Sequence, residues 1–271
     1  MENEKYVAFI DILGFKQKLQ QINQAKAEAL IRDFSAMLAR QWQEHALAEN
    51  KDIGGHIISD SIVLYSADCA PQSLKNILQY TIQIFRLAFN ENGILLRGAI
   101  AKGEFNRLQE ANLANLDKGL IVGNAYIEAY SMESRHKASA IMVGGAVKDD
   151  IAEYFADEYV LEKLRDEIPP LYTIRWADID YLLEQDHLAR FVGLAHEAAW
   201  LPHYYQTLYM FLTNVQSEKK IQAVFNEIFI MLKNQYDYRA VNVFIQNAFS
   251  TDINIHFREI FLKFLRKKIF Q

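Results

Sequence analysis

Two kinds of hydrophobic spacing alternate along the N-terminal part of the chain, and their order constrains its fold. Residues 6–15 form a short apolar run rich in Val, Ile and Phe, which is typical of a strand buried on both faces. Helical spacing follows over 25–48, then two apolar runs around a polar turn at 59–61, helical spacing after Pro71 and a strand-like run over 94–100. This order predicts a split βαβ, or ferredoxin-like, sheet with helices on one face.

The pattern changes again toward the C-terminus. Helical periodicity almost without Gly or Pro begins beyond residue 178. We therefore expect an α+β domain with a βαββαβ core over 1–178 and an α-helical C-terminal region over 179–271. After a polar loop at about 106–117, the expected elements are a strand ending at 122, a helix over 124–134, a strand over 139–143, a helix after 145 and a strand over 171–176.

Composition excludes several classes of function. Among 271 residues, 29 Lys and Arg stand against 34 Asp and Glu, a net charge of -5, so no overall positive field would attract nucleic acid. The single cysteine, Cys69, allows neither an internal disulfide nor a cysteine-based zinc site. No uninterrupted apolar stretch is long enough to cross a bilayer, and the first residues lack a signal-peptide pattern. We expect a cytoplasmic protein without a membrane span and without a nucleic-acid partner.

Two aspartates occupy unusual positions. Asp11 lies within the apolar strand FIDILGF, and Asp60 lies at the hairpin turn in IISDSIVLY. A buried carboxylate needs a cation, a metal or several donors to offset its charge. In a ferredoxin-like sheet the first strand and the hairpin turn are adjacent, so both side chains are placed to hold Mg²⁺ or Mn²⁺. The alternative is that each is an ordinary turn-forming residue, and at this point both interpretations stay open.

The motifs around these aspartates resemble a known family. FIDILGF resembles the opening strand of the class III nucleotidyl cyclase catalytic domain, with Asp11 at the first metal ligand and Asp60 at the second. LLRGAIAKGEF is similar to the third strand of that domain, and IVGNAYIEAYSMES followed by IMVGG is similar to its next helix and strand. The resemblance covers about residues 5–178, with four motifs in the same order and with matching spacing.

The resemblance implies a reaction and an assembly. Class III cyclases convert a nucleoside triphosphate to a 3′,5′-cyclic mononucleotide and pyrophosphate with two Mn²⁺ or Mg²⁺ ions, which here implies Asp11, Asp60 and the backbone carbonyl of Ile12 as metal ligands. Their active sites form between two catalytic domains, one supplying the metal aspartates and the other the base-side residues. The resemblance therefore implies a homodimer with active sites at the interface.

The departures from the family concern the base and the transition state. The base-reading lysine and aspartate of purine cyclases fall on His56 and Leu120, and the asparagine and arginine that stabilise the transition state fall on Ile127 and Ser131. The altered base readers, the opening motif and the helical region resemble the pyrimidine cyclases of bacterial antiphage (Pycsar) systems. This implies CTP or UTP as substrate and a separate effector that responds to the cyclic nucleotide. The alternative is an inactive cyclase fold that serves as a nucleotide-binding or interaction module.

Further candidate residues would complete such a site. The backbone N–H groups of Leu13, Gly14 and Phe15 are placed to bind phosphate oxygens at the start of a helix. Arg97 interrupts an apolar strand, which indicates either the catalytic cation that would stabilise the transition state or an internal salt bridge. Lys137, within the basic cluster 135–137, is either a nucleotide-binding cation or part of a solvated loop.

Two residues are candidates for contact with the base. His56 and Tyr126 carry hydrogen-bonding groups at positions expected near the base. The alternative for each is an ordinary core residue of the strand or helix that carries it. Neither residue alone identifies the base.

Overall fold

The fold is described from a computed structural model, which covers residues 3–44, 52–108, 120–136, 138–159, 161–163, 170–198, 202–212, 215 and 217–235. The chain divides into two compact units. The first comprises Met1–His136 with Ala140–Trp176, and the second comprises Lys137–Ser139 with Ala177–Gln271. The sequence prediction placed the boundary after residue 178.

Strands and helices alternate in the first unit, as the sequence predicts. Its elements, in chain order, are β1 (Glu4–Ile12), α1 (Phe15–Gln21), α2 (Gln24–Glu44), β2 (Ile53–Ile58), β3 (Ser61–Ser66), α3 (Pro71–Asn92), β4 (Leu96–Glu104), β5 (Asn106–Leu108), β6 (Leu120–Val122), α4 (Asn124–Arg135), β7 (Ile141–Val143), α5 (Gly145–Tyr154), β8 (Leu161–Lys163) and β9 (Tyr172–Ile174).

A seven-stranded sheet organises this unit, in the order β2-β3-β1-β4-β7-β9-β8. The first strand pairs antiparallel with both β3 and β4, and β4 pairs in parallel with β7. The four strands β2-β3-β1-β4, together with α2 and α3, form the predicted βαββαβ core. The α+β, ferredoxin-like prediction is therefore confirmed for this unit.

Helices cover both faces of the sheet, whereas the sequence predicted helices on one face. The fourth helix packs its buried Ala125, Ala129 and Met132 against Phe9 and Ala99 of the central strands. The small alanines on both sides allow a close approach of helix and sheet. The opposite face packs against α2 and α3, where a Cβ at Gly98 would lie 3.4 Å from the Phe85 ring. The prediction was incomplete because α4 lies outside the βαββαβ core.

A proline and a glycine set the two ends of α3. Pro71 begins α3, where a missing N–H costs nothing. Gly93 ends it with a φ of 60°, and its N–H donates to the Phe89 carbonyl at 3.1 Å. Two short strands were missed: β5 lies within the predicted loop, and β8 was not expected. The helix that the sequence placed after residues 13–15 is α1, which is separate from the longer α2.

The second unit is helical where the structure describes it. Its helices are α6 (Ile179–Leu183), α7 (His187–Glu197), α8 (Pro202–Leu212) and α9 (Glu218–Gln235). Asp178 begins the first of them, since its Oδ1 accepts from the N–H of Tyr181 at 2.9 Å. Phe191, Phe211 and Phe225 form its buried aromatic core. Among the described residues, no helix is long and apolar enough to span a bilayer.

Candidate active site

Strand register places the candidate residues beside one another. Asp11, near the end of β1, is the direct partner of Ser61 on β3 and of Arg97 on β4. Because residues paired across antiparallel strands share a face of the sheet, all three side chains lie on the face that α4 covers. Asp60 immediately precedes Ser61, so the hairpin turn brings it to the same end of β1.

The hairpin turn that carries Asp60 is tight and strained. Two residues, Ser59 and Asp60, connect β2 to β3. Ser59 has a φ of 58°, in the left-handed region that non-glycine residues rarely adopt. Such backbone strain persists only where the surrounding structure enforces it, and it is common at functional sites.

The carboxylate of Asp11 is electrostatically unusual. Burial raises its pKa to about 7, with further upward contributions from the charges of Asp60 and Glu133. A hydrogen bond from the Ser61 hydroxyl to Oδ1, at 3.0 Å, acts in the opposite direction. The negative charge at this point of the sheet is therefore only partly compensated by the described side chains.

Arg97 makes an ion pair inside the unit, the alternative that the sequence left open. Its Nε donates to Oε1 of Glu133 on α4, and its Nη1 donates to the carbonyl of His136 at 3.3 Å. The Nη2 lies 3.9 Å from Oδ2 of Asp11. Arg97 thus lies beside the aspartates while its main partner is Glu133, and its role toward a phosphate stays a prediction.

The donor set fits divalent metal ions. Within the described residues, no three His, Cys, Asp or Glu side chains cluster as a metal site. Asp11 and Asp60 offer two hard carboxylate donors near the backbone of Ile12, and a cation would offset the burial and the repulsion from Asp60 that together raise the pKa of Asp11. The remaining coordination positions would be taken by water or substrate oxygens, as is usual for Mg²⁺.

The predicted phosphate-binding backbone is corrected at one position. The N–H of Leu13 donates to the carbonyl of Leu95 at 2.9 Å, continuing the ladder between β1 and β4. That amide is therefore not available to a phosphate oxygen. Gly14 adopts a φ of 74° and precedes α1, and Phe15 is the first residue of that helix. Lys137 lies outside the described residues.

The two candidate base contacts, His56 and Tyr126, lie on different elements, β2 and α4. His56 lies on β2 with its ring centroid 6.1 Å from that of Tyr65, and its Nε2 is buried without a partner among the described residues. Burial and the charge of Arg107 lower the pKa of His56. Tyr126 on α4 lies 6.1 Å from the Phe9 ring and stacks against Tyr130 at 6.4 Å.

Sequence reasoning missed the roles of Ser61 and Glu133. Ser61 follows Asp60 directly, and its pairing with Asp11 could have been read from a two-residue turn. Glu133 appeared only as one matching position of the family motif, although it is 3% exposed and holds Arg97. A buried glutamate near the end of an amphipathic helix was the available signal.

Solved structures share this fold. A double mutant of the guanylyl cyclase domain of the RhoGC fusion protein from Blastocladiella emersonii has a TM-score of 0.50 and 17% identity, covering 64% of this chain and 95% of that one. The first unit has the fold of a class III nucleotidyl cyclase catalytic domain. Adenylyl cyclase CyaB from P. aeruginosa gives a TM-score of 0.48 at 14% identity, covering 64% of this chain and 94% of that one. No protein-family model and no curated protein matches the sequence.

Proposed function

We propose that this protein is a nucleotidyl cyclase that converts a nucleoside triphosphate, CTP or UTP, to the 3′,5′-cyclic mononucleotide and pyrophosphate. The observation that carries the proposal is the arrangement of Asp11, Asp60 and Arg97 at one end of β1 on a cyclase fold. Two carboxylates and one guanidinium form a site for metal ions and phosphate, which is what this reaction requires.

The chain's own residues would contribute mainly position and charge. Asp11 and Asp60, with the carbonyl of Ile12, would hold two Mn²⁺ or Mg²⁺ ions. Bound there, the ions would lower the pKa of the ribose 3′ hydroxyl and neutralise charge on the triphosphate. The Nη2 of Arg97 faces the same place and offers a donor to a phosphate oxygen. Attack by the 3′ oxygen on the α-phosphorus forms the cyclic ester bond as the bond to pyrophosphate breaks.

The pyrimidine assignment rests on the residues that replace the purine readers. His56 and Leu120 stand where purine cyclases have a lysine and an aspartate. The Nε2 of His56 is buried without a partner among the described residues, so an unsatisfied polar atom stands where purine cyclases have their base-reading lysine. We propose a role in bacterial antiphage defence, in which the cyclic pyrimidine nucleotide acts on a separate effector, because the opening motif resembles that branch.

A homodimer is part of the proposal, because the resemblance implies active sites that form between two catalytic domains. Two large apolar or aromatic side chains of α4 are exposed beside its polar residues. Ile127 is 63% exposed and Tyr130 is 53% exposed, while Val122 on the neighbouring β6 is 56% exposed. An exposed apolar patch of this kind marks an interaction surface. Contact with a second copy would cover it and complete the active site.

A direct assay tests the proposal. The purified protein is incubated with Mn²⁺ and each of ATP, GTP, CTP and UTP, and cyclic nucleotide and pyrophosphate are measured by mass spectrometry. We expect a cyclic pyrimidine product from the wild type and none from D11A or D60N. D149N is the matched control, since that carboxylate is 71% exposed and pairs with Lys148. It should keep full activity.

The outcomes separate the parts of the proposal. A purine product would keep the cyclase and reject the interpretation of His56 and Leu120. Activity retained in D60N would reject the metal site. No product from a folded dimer would favour the alternative, an inactive nucleotide-binding module, for which the exposed Ile127 in place of the family asparagine is the supporting observation. Stabilisation by triphosphate only with Mn²⁺ would then identify the binding site.

A further inference from the structure

Two residues at the C-terminal end of α4 accept hydrogen bonds from Arg97. Its Nε donates to the carboxylate of Glu133 and its Nη1 to the His136 carbonyl, so two of the three guanidinium nitrogens have partners on one side. The third, Nη2, points toward Asp11 but stops 3.9 Å from Oδ2. This distance is too long for a hydrogen bond.

Asp11 is the alternative partner of Arg97. Asp11 is directly across the strand pair from Arg97, and its side chain is 22% exposed against 4% for Glu133. A bidentate guanidinium–carboxylate pair is the arrangement that these two groups favour when nothing else binds the arginine. Without Glu133, the small remaining gap would let the guanidinium close on Asp11.

Such a closed pair would compete with a metal ion. Asp11 cannot serve as a metal ligand while Arg97 occupies its oxygens, and the positive charge would repel the cation. In the structure, the guanidinium lies between the carboxylates of Glu133 and Asp11, and Asp60 adds a third carboxylate beside Asp11. When all are ionised, two negative charges are left without a partner among these four side chains, which favours the binding of divalent cations.

We propose that Glu133 is a positioning residue of the metal site, which holds Arg97 away from Asp11 and so keeps the Asp11 carboxylate available to a divalent cation. The inference deepens the proposed function and rests on its metal site. Groups behind the direct ligands commonly control metal affinity in this way. Glu133 itself contacts neither metal nor substrate and acts through Arg97.

Mn²⁺ binding without nucleotide tests the inference independently of turnover. Free Mn²⁺ is titrated into the full-length protein and followed by electron paramagnetic resonance. We expect E133Q to weaken Mn²⁺ binding by about 10- to 100-fold, as loss of an outer-shell partner commonly does. The double variant E133Q/R97Q removes the competing cation as well, and its Mn²⁺ affinity should return to near the wild-type value.

Two further variants separate position from charge and from folding. E133D keeps the charge but shortens the side chain, so it should weaken binding as E133Q does; long-range charge alone would leave it unchanged. E162Q is the matched control, because Glu162 pairs with Arg175 in another partly buried ion pair, with side chains 11% and 17% exposed. Its melting temperature should fall, because an ion pair is lost, but its Mn²⁺ affinity should equal that of the wild type.

The failures are distinguishable. Wild-type Mn²⁺ affinity in both E133Q and E133D overturns the inference and leaves the proposed cyclase intact. A loss of affinity that E133Q/R97Q does not restore also overturns it, because Glu133 would then not act through Arg97. A wild type that binds no Mn²⁺ overturns the metal site itself, and with it this inference. Should E133Q fail to fold, E133D and the double variant give the same comparison.

Discussion

The phenolic hydroxyl of Tyr6 on β1 donates a hydrogen bond of 2.7 Å to Oδ2 of Asp150 on α5, 144 residues away in the sequence. The Nζ of Lys102 on β4 donates to the same oxygen at 2.8 Å. The ammonium lies 5.6 Å from the centre of the Tyr6 ring. Tyr6 is fully buried, so this polar contact joins α5 to two central strands from inside the unit.

Alkaline pH should weaken the fold through this contact. Burial and the neighbouring Asp150 raise the pKa of Tyr6, and the hydrogen bond to Asp150 raises the pKa of Lys102. Both pKa values are higher in the folded chain than in the unfolded one, so the stability they contribute is complete below about pH 10 and is lost as pH rises further. Urea unfolding between about pH 8 and about pH 11 measures this loss.

Replacing the phenol isolates its contribution. In Y6F, the free energy of unfolding should fall less steeply with pH above about pH 10, by up to about 1.4 kcal/mol per pH unit, the slope for one proton. Y130F removes an exposed phenol from α4 and should keep the wild-type slope. Equal slopes in Y6F and wild type would show that Tyr6 ionises as readily in the folded chain.

Asp150 should contribute far more to the free energy of unfolding than Asp149 does. Its carboxylate accepts from both Tyr6 and Lys102 while 9% exposed, whereas Asp149 is a surface residue paired with Lys148. Hydrogen bonds to a charged group contribute about 1.5 to 3 kcal/mol, so D150N should lower the free energy of unfolding by about that amount. D149N should change it by less than about 0.5 kcal/mol. Similar losses in both variants would contradict the assigned contact.

Hydrophobic spacing predicted the core of the fold, because long helices and strands show a regular period of apolar residues. The apolar run of β1 and the helical spacing of α2 and α3 each extend over several residues, so their type was readable. The three-residue strands β5 and β8, with sequences NRL and LEK, are mostly polar or charged, so no apolar run marked them as the runs around β6, β7 and β9 did. Their existence depends on pairing with distant strands, which local sequence does not encode.

The site was predictable where it rests on strand pairing. Asp11 and Asp60 belong to one strand and one tight turn, so a ferredoxin-like order was enough to bring them to the same end of the sheet. The partner of Arg97 depends instead on how α4 is rotated over β4, and that is decided by core packing. The amide of Leu13 was misjudged because the apolar run over 6–15 and the phosphate-binding turn made competing claims on residue 13, and its N–H continues the β1–β4 ladder.

One glycine of the first unit should not tolerate a side chain. Gly123, just before α4, has a φ of 150°, and a Cβ there would lie 2.1 Å from the Glu104 carbonyl oxygen. G123A should lower the free energy of unfolding by at least about 2 kcal/mol, because it combines a backbone conformation open only to glycine with a backbone clash.

Gly145 provides the matched control. It is the first residue of α5, and a Cβ there would meet no atom within 4 Å. G145A should be neutral or stabilising by about 0.5 kcal/mol, since alanine restricts the unfolded chain. Urea unfolding of both variants is the measurement, and a G123A protein as stable as G145A would contradict the described geometry of Gly123.

The last prediction concerns the exposed side of α4 and the oligomeric state of the protein. Ile127 is 63% exposed, so a charge there should leave the folded monomer almost unchanged. If a second copy covers this side chain, as proposed, I127D buries an unpaired carboxylate at the contact and should shift the protein from dimer to monomer. Analytical ultracentrifugation measures the shift, and cyclase activity should fall in proportion to the dimer lost.

A second exposed isoleucine controls for the added charge. Ile230 on α9 of the helical unit is 51% exposed, and I230D introduces the same charge at a comparable surface position. It should leave both the oligomeric state and the activity unchanged. A dimer that survives I127D with full activity would place the contact elsewhere, because a buried aspartate at the centre of a small apolar interface costs several kcal/mol. Dissociation by both variants would mean that general charge, and not the α4 surface, controls association.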